Sequence, residues 1–173
     1  MKRTILTFAA TLATFFGAGA QNIVFINTET ILGAIPEYVD AQQQLSTLSD
    51  KYKANIEAQI GRIETLYQNY QQNKSSMNAA QRSEAENEII TKEKAVKEKQ
   101  NLYFGEDGIM AKKSEELLDP IKAKVDKAIE RAAEEMGDVD AVIDLAANQG
   151  IVYHNELKDI TNRVIDIYKK TNK

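Results

Sequence analysis

More than half of the chain, from Glu37 to Met136, is a polar, highly charged segment that opens with EYVDAQQQLSTLSDKYKANIEAQIGRIETLYQNYQQN, residues 37–73. Gln, Glu, Lys, Ala, Ile and Leu dominate this stretch, and most of these residue types favour helix. Only one proline and three glycines interrupt it. We therefore predict a long antiparallel helical hairpin over residues 36–136, which we call the arm. The arm carries too few apolar residues to form a compact bundle alone, so the flanking residues must anchor it.

The outgoing helix of the arm is predicted to begin at Pro36 or Glu37, because proline is favoured at the first helical position. Its apolar residues recur at spacings of three and four, which places them in one narrow seam. Three of them recur at eleven residues, which predicts a slack or locally right-handed supercoil. The seam comprises Leu45, Leu48, Tyr52, Ile56, Ile60, Ile63, Tyr67 and Tyr70, and the eleven-residue set is Leu45, Ile56 and Tyr67.

The return helix is predicted to begin after a polar turn at residues 73–78, where Asn78 followed by Gln81 is typical of a capping box. A regular two-stranded coiled coil has apolar residues at both core positions of each heptad. Here Lys92 and Lys99 occupy the second position, so the seam is half polar and a flexible arm is expected. The first position is filled by Ile89, Val96, Tyr103, Met110 and Leu117.

Three helix-breaking residues fall within the return helix, namely Gly105, Gly108 and Pro120. A glycine costs about 1 kcal/mol relative to alanine inside a helix, and a proline usually kinks one. These residues are either tolerated bends or a hinge that lets the arm splay, and the sequence leaves both interpretations open.

Four tyrosines on the arm also have two interpretations. They either fill the seam between the two helices or present amphipathic rings to an unfolded apolar segment of another protein. These candidate contact residues are Tyr52, Tyr67, Tyr70 and Tyr103.

Residues 1–20 have the parts of a secretory signal peptide. A basic start and an apolar run over residues 5–16 precede the cleavage site Ala18-Gly19-Ala20. The run is shorter than the about 20 apolar residues of a membrane span, so no stable membrane insertion is expected. We predict an exported chain that begins at Gln21. Its formal charge becomes −6, because the two cations of the leader are lost from a total of −4.

Short apolar segments flank the arm and are predicted to form a small β body from residues 21–35 and 137–173. Residues 22–27, 141–145 and 151–154 are predicted strands, because they are short, β-branched and apolar. A C-terminal helix is predicted from Leu157 to Lys170. The predicted fold class is therefore α+β, with a long helical hairpin on a small β body.

The body is too small to be stable alone, and the chain has no cysteine with which to form a disulfide. We therefore expect oligomerisation through the body. Three copies would close nine strands into a barrel without edges. The residues expected in this trimer body are Val24, Ile26, Val142, Ile143, Val152, Ile160 and Val164.

The chain offers little catalytic chemistry. His154 is its only histidine, and no G-x-S-x-G motif or phosphate-binding glycine loop occurs. The carboxylates alternate with lysines on helix faces, as on a solvated surface. We expect no enzyme activity, cofactor or metal site. The negative net charge, without a long basic run, also argues against nucleic-acid binding.

The order of these parts, over the whole mature chain, resembles the OmpH/Skp family of periplasmic chaperones. The most specific stretch runs from Val142-Ile143-Asp144 through Ile151-Val152-Tyr153 to Lys158-Asp159-Ile160-Thr161 and Val164. The family has a strand ending in Asp, a turn of small residues, a strand ending in an aromatic residue, and a helix start like Asp-Ile-Thr. The Phe104-Gly105-Glu106-Asp107-Gly108 run and Glu116-Leu117-Leu118-Asp119-Pro120 are also similar to segments of family members.

The resemblance implies a homotrimer whose three arms surround a cavity that holds unfolded outer-membrane proteins in the periplasm, without ATP. Family members are often basic, whereas this chain is acidic, so no site for lipopolysaccharide or anionic lipid is carried over. The alternative is a coiled-coil spacer or adaptor of an envelope assembly machine, which would bind one folded partner. A spacer should have a uniformly apolar seam, so the half-polar seam favours the chaperone.

Overall fold

The computed structural model describes residues 21–147 and 150–172. The predicted signal peptide, residues 1–20, lies outside the described residues. The chain is mostly helical, with one small sheet. The strands are β1 (Ile23–Ile26) and β2 (Ala141–Asp144), and the helices are α1 (Thr28–Gly33), α2 (Pro36–Asn73), α3 (Ala79–Phe104), α4 (Ile109–Glu134) and α5 (Thr161–Thr171), with a short 3-10 helix at Glu156–Lys158.

The sheet consists of β1 and β2 in parallel, with Val24 opposite Val142. Parallel neighbours need a crossover connection, because a tight turn reverses the chain. Here the whole arm forms that connection, since α2, α3 and α4 all lie between the two strands in sequence. Both ends of the arm are therefore fixed to the same sheet.

The core of the body forms where α1, α5 and the lower parts of α2 and α4 cover the sheet. Val24, Ile31 and Val164 are completely buried there. Asp144 ties the end of β2 to the start of α1, because its carboxylate accepts hydrogen bonds from Thr28 N–H at 3.1 Å and Thr28 Oγ1 at 2.6 Å. The neighbouring cap is the Asn27 side chain, which accepts from Thr30 N–H.

Local sequence signals place the ends of the long helices as predicted. Pro36 is the first residue of α2, and α3 opens with the reciprocal capping box between Asn78 and Gln81. Gly137 follows α4 with a φ of 84°, a left-handed conformation that favours glycine after a helix.

The arm is an antiparallel hairpin in which α2 packs against α3 towards the tip and against α4 towards the base. The cross-helix contacts pair Tyr52 with Tyr103 near the base and Tyr70 with Glu86 near the tip. The predicted eleven-residue repeat in α2 holds from Leu45 to Ile56, which are both buried, but fails at Tyr67, because the buried residues of the outer seam recur every seven residues. Tyr67 is 52% exposed, and the neighbouring Leu66 packs in its place. The buried set of α2 in the outer seam is Ile56, Ile63 and Tyr70.

The return limb of the arm is two helices rather than one. α3 ends at Phe104 and α4 begins at Ile109, so residues 105–108 are a non-helical break. Pro120, in contrast, lies inside α4 without ending it.

Two expectations for the body are wrong. Residues 151–154 form no strand, because they pair with no other strand among the described residues, and Val152 and Tyr153 face solvent. The final helix does not begin at Leu157. A 3-10 turn occupies Glu156–Lys158, and Asp159 forms an isolated bridge to Phe25, so α5 starts only at Thr161.

Candidate functional site

The described chain has two hydrophobic clusters, and the break in the return limb lies between them. The body cluster extends into the arm as far as Leu45 on α2 and Met110 on α4. The arm cluster begins at Ile56 on α2 and at Tyr103 on α3. The arm is therefore well packed at its base and separately packed further out. We call the segment where the two clusters meet, residues 46–55 with 103–109, the joint.

Aromatic rings fill the joint where aliphatic packing stops. The rings of Tyr52 and Tyr103 stack with centroids 4.0 Å apart and planes 10° apart. Phe104 stands edge-on to both, with each centroid distance 6.4 Å. A pair of aromatic rings contributes about 0.5–1.5 kcal/mol beyond the burial of its apolar surface, and flat rings can change tilt while they stay in contact. The joint is thus held by rings rather than by interlocking core residues.

Close backbone packing shapes the break beside these rings. Gly108 N–H donates to Gly105 O at 2.9 Å, and Gly105 N–H donates to Asn101 O at 2.8 Å. A methyl group on Gly105 would overlap the Asn101 carbonyl oxygen, and one on Gly108 would lie 2.8 Å from Gly105 O. The break therefore requires glycine at both positions because a Cβ atom would not fit there, and not because the backbone has a left-handed conformation.

The tip of the arm is closed by Tyr70, whose hydroxyl donates to the Glu86 carboxylate. This hydrogen bond, and then burial, raise the pKa of Tyr70 above its ordinary value. The Lys74 ammonium lies 5.5 Å from the centroid of the same ring. Of the four candidate tyrosines, Tyr67 alone keeps about half of its surface accessible, while Tyr52, Tyr70 and Tyr103 pack in the seam of this chain.

A cleft of about 550 Å³ opens on one side of the arm between α2 and α3. Its floor is apolar, and its rim carries Arg62 and Lys92. The cleft exists because Lys92 stands at a core position of the heptad and does not fill it. Its side chain turns outward and pairs with Glu88 on the same helix at 3.4 Å. One heptad later, Lys99 closes the seam instead, donating to Gln59 Oε1 at 3.0 Å.

The residues predicted for the trimer body divide into two groups. Four of them belong to the core of the single chain, and Val142 packs against that core. Ile143 is half-buried, whereas Val152 is 99% exposed. Tyr153 and Leu157 are also exposed, so the segment around Val152 presents three large apolar side chains to solvent. The four core members are Val24, Ile26, Ile160 and Val164.

Several polar contacts in the body join elements of the fold. The His154 ring lies against Phe25, with centroids 5.2 Å apart and planes tilted by 52°, and its Nε2 lies 3.7 Å from Asp159 Oδ2. Burial raises the pKa of Asp144, but hydrogen bonds donated by Thr28 and Ala146 outweigh it and leave the pKa below its ordinary value. No cluster of three or more metal-ligating side chains occurs in residues 21–147 and 150–172.

Sequence reasoning missed two features of the arm. Phe104 completes the aromatic joint, although it was considered only as part of a glycine-containing motif. The Gln59–Lys99 hydrogen bond was also missed, because a glutamine outside the apolar seam gave no signal until the register of α2 and α3 was known. The lysine at a core position was the available clue, since a buried ammonium requires an acceptor.

Comparisons with known proteins now bear on this geometry. The family model "Outer membrane protein (OmpH-like)" matches residues 22–168. The chain belongs to the OmpH-like family. The resemblance to the OmpH/Skp family that the sequence indicated is thereby confirmed. No curated protein matches the chain.

A solved structure shares the fold of this OmpH-like chain. It is the crystal structure of an OmpH-like protein from Caulobacter crescentus CB15, described there as a candidate outer membrane chaperone. The TM-score is 0.65 at 13% sequence identity, and the match covers 90% of this chain and 88% of the other. Within the described part of the present chain, no helix is long and apolar enough to cross a membrane.

Proposed function

We propose that this OmpH-like chain is an ATP-independent periplasmic chaperone that holds unfolded outer-membrane proteins between its arms and prevents their aggregation. The observation that carries the proposal is the separation of a well-packed body core from a thinly packed arm in a member of this family. α2 has 38 residues, so the arm reaches about 57 Å at 1.5 Å per residue.

The arm is suited to weak contacts spread over a large surface. Apolar side chains such as Tyr67, Ile90 and Leu102 remain at least half exposed along it. Contacts of this kind bind an unfolded chain, which exposes many apolar segments, and release a folded one, which exposes few. A protein that binds only the unfolded form of its partner shifts the partner's folding equilibrium towards that form by mass action, and this needs no ATP.

The arms of several copies would enclose a client if the bodies associate, and we propose a homotrimer. Val152, Tyr153 and Leu157 offer an exposed apolar surface at the body, far from the tip of the arm. β2 also bonds to β1 on one side only among the described residues, which leaves a strand edge for a second copy. The copy number of three comes from the family resemblance.

Export follows from the leader sequence. Residues 1–20 have the features of a cleaved signal peptide, and outer-membrane proteins cross the periplasm unfolded after export. We therefore propose that the mature chain begins at Gln21 and works in the periplasm. Mass spectrometry of the purified native protein tests this start, and an intact leader would contradict it.

The decisive experiment follows an unfolded β-barrel protein by light scattering after dilution from urea. The mature chain should suppress scattering at near-stoichiometric ratios without nucleotide. A folded soluble protein should show no binding in the same buffer. Unchanged scattering together with tight binding to a folded envelope protein would instead support the spacer interpretation.

A further inference from the structure

The cleft between α2 and α3 is a place where charge and apolar surface meet. Its floor is formed by Ile63, Leu66 and Val96, and Ala95 leaves space above them because its side chain is small. The volume of about 550 Å³ exceeds that of any single side chain and falls within the range of ordinary ligand pockets.

The local charge of the cleft is opposite to that of the chain. Its lining carries two cations, Arg62 and Lys92, and one carboxylate, Glu88, whereas the mature chain carries −6. The Arg62 guanidinium stands on the facing rim with no ion pair among the described residues. An exposed cation above an apolar floor attracts a carboxylate beside an apolar side chain.

We propose that this cleft binds acidic apolar segments of unfolded polypeptides, so that the arm selects clients by charge as well as by exposed apolar surface. The inference rests on the proposed function and specifies which client segments the arm takes. The occupant is a stretch of extended chain with an apolar side chain on the floor and a carboxylate beside Arg62 or Lys92. The acidic remainder of the protein repels such a segment, so the cleft orients it.

A short unstructured peptide with a Leu-Trp pair between two aspartates is the probe. The chain contains no tryptophan, so the fluorescence of the peptide reports binding without background. The mature protein should bind this probe more tightly than a matched peptide with lysines in place of the aspartates. The preference should decline as salt rises, because exposed charges are screened.

Two variants test the two halves of the cleft. Arg62→Glu combined with Lys92→Glu should weaken the acidic probe about five- to tenfold, the range expected for reversing two exposed contacts. Ala95→Phe fills the cleft without changing charge and should weaken both peptides. The matched control is Lys94→Glu combined with Lys97→Glu, which changes the net charge equally on another side of α3 and should bind as the natural chain does.

The outcomes separate this proposal from the function on which it rests. If the natural chain fails to suppress aggregation of a β-barrel protein, the proposed function is wrong. If it suppresses aggregation but the cleft variants bind the probe like the control, the cleft proposal alone is overturned. Vesicles of anionic phospholipid provide the remaining comparison, because binding to them through Arg62 and Lys92 without peptide binding would also overturn it.

Discussion

Replacing Gly105 and Gly108 by alanine should straighten the return limb of the arm. Each alanine gains about 1 kcal/mol over glycine in a helix, so the pair favours a continuous helix by about 2 kcal/mol. The broken form is penalised as well, because the new methyl groups would meet Asn101 O and Gly105 O. A difference of about 2 kcal/mol changes the ratio of straight to broken forms about thirtyfold.

The assay combines three measurements on natural and doubly substituted protein. Circular dichroism should show a small increase in total helix content, and small-angle scattering should show a narrower range of arm positions. Affinity for a large unfolded β-barrel protein should decrease, while affinity for a small one should change less. Gly61→Ala is the matched control, because its methyl group would meet nothing within 4 Å and lies inside α2, away from the break.

The reasoning would be refuted by unchanged scattering and equal affinities for both clients in both proteins. The glycines would then be passive bends, and the arm would not adapt to client size. If Gly61→Ala reproduced the loss of affinity for the large client, general helix stiffness rather than the break would be responsible.

Three further predictions concern stability, association and the tip. Asp144→Asn should cost about 1–3 kcal/mol at neutral pH through weaker bonds to Thr28, as chemical denaturation can measure. The pKa of Asp144 is lower in the folded chain than its ordinary value of 3.8. Its carboxylate therefore stabilises the fold fully above pH 3.8 and loses this stabilisation as the pH falls through the folded-state pKa, so the stabilities of the natural and Asp144→Asn proteins should converge in acid. Leu157→Asp should weaken self-association in sedimentation equilibrium without unfolding the body, whereas Ile90→Asp on the arm should not; equal sedimentation of both variants would contradict this. Tyr70→Phe removes the bond to the tip carboxylate and should speed hydrogen exchange at the turn of residues 74–78, so unchanged exchange there would show that the bond does not fasten the tip.

Helix ends were predictable because each depends on a few neighbouring residues. Pro36, the Asn78–Gln81 box and Gly137 each act within one turn, and the structure bears out all three. The long helices were also predictable, because their apolar periodicity extends over many turns and one residue that departs from it does not obscure the pattern. The family resemblance added the order of the parts, which local patterns alone do not specify.

The errors have a common physical cause, which is dependence on distant partners. Tyr67 and Leu66 are adjacent, so both fit a helical repeat, and only the position of α3 decides which one is buried. Residues 151–154 have strand-like composition, but a strand exists only where another strand offers hydrogen bonds. In both cases the outcome depends on residues that lie far away in the sequence.

We propose that the break lets the arm bend while both of its ends stay fixed to one sheet. Helix axes in a packed pair lie about 9 Å apart, so a bend of about 20° requires one limb to lengthen by about 3 Å relative to the other. α2 is continuous through the joint and cannot supply this difference. Residues 105–108 can. Gly105 and Gly108 are already extended, but Glu106 and Asp107 form a turn, and extending these two from about 1.5 Å to about 3.3 Å per residue gives about 4 Å. Bending should therefore pull the break open and slide Tyr103 over Tyr52, rather than separate α3 from α2.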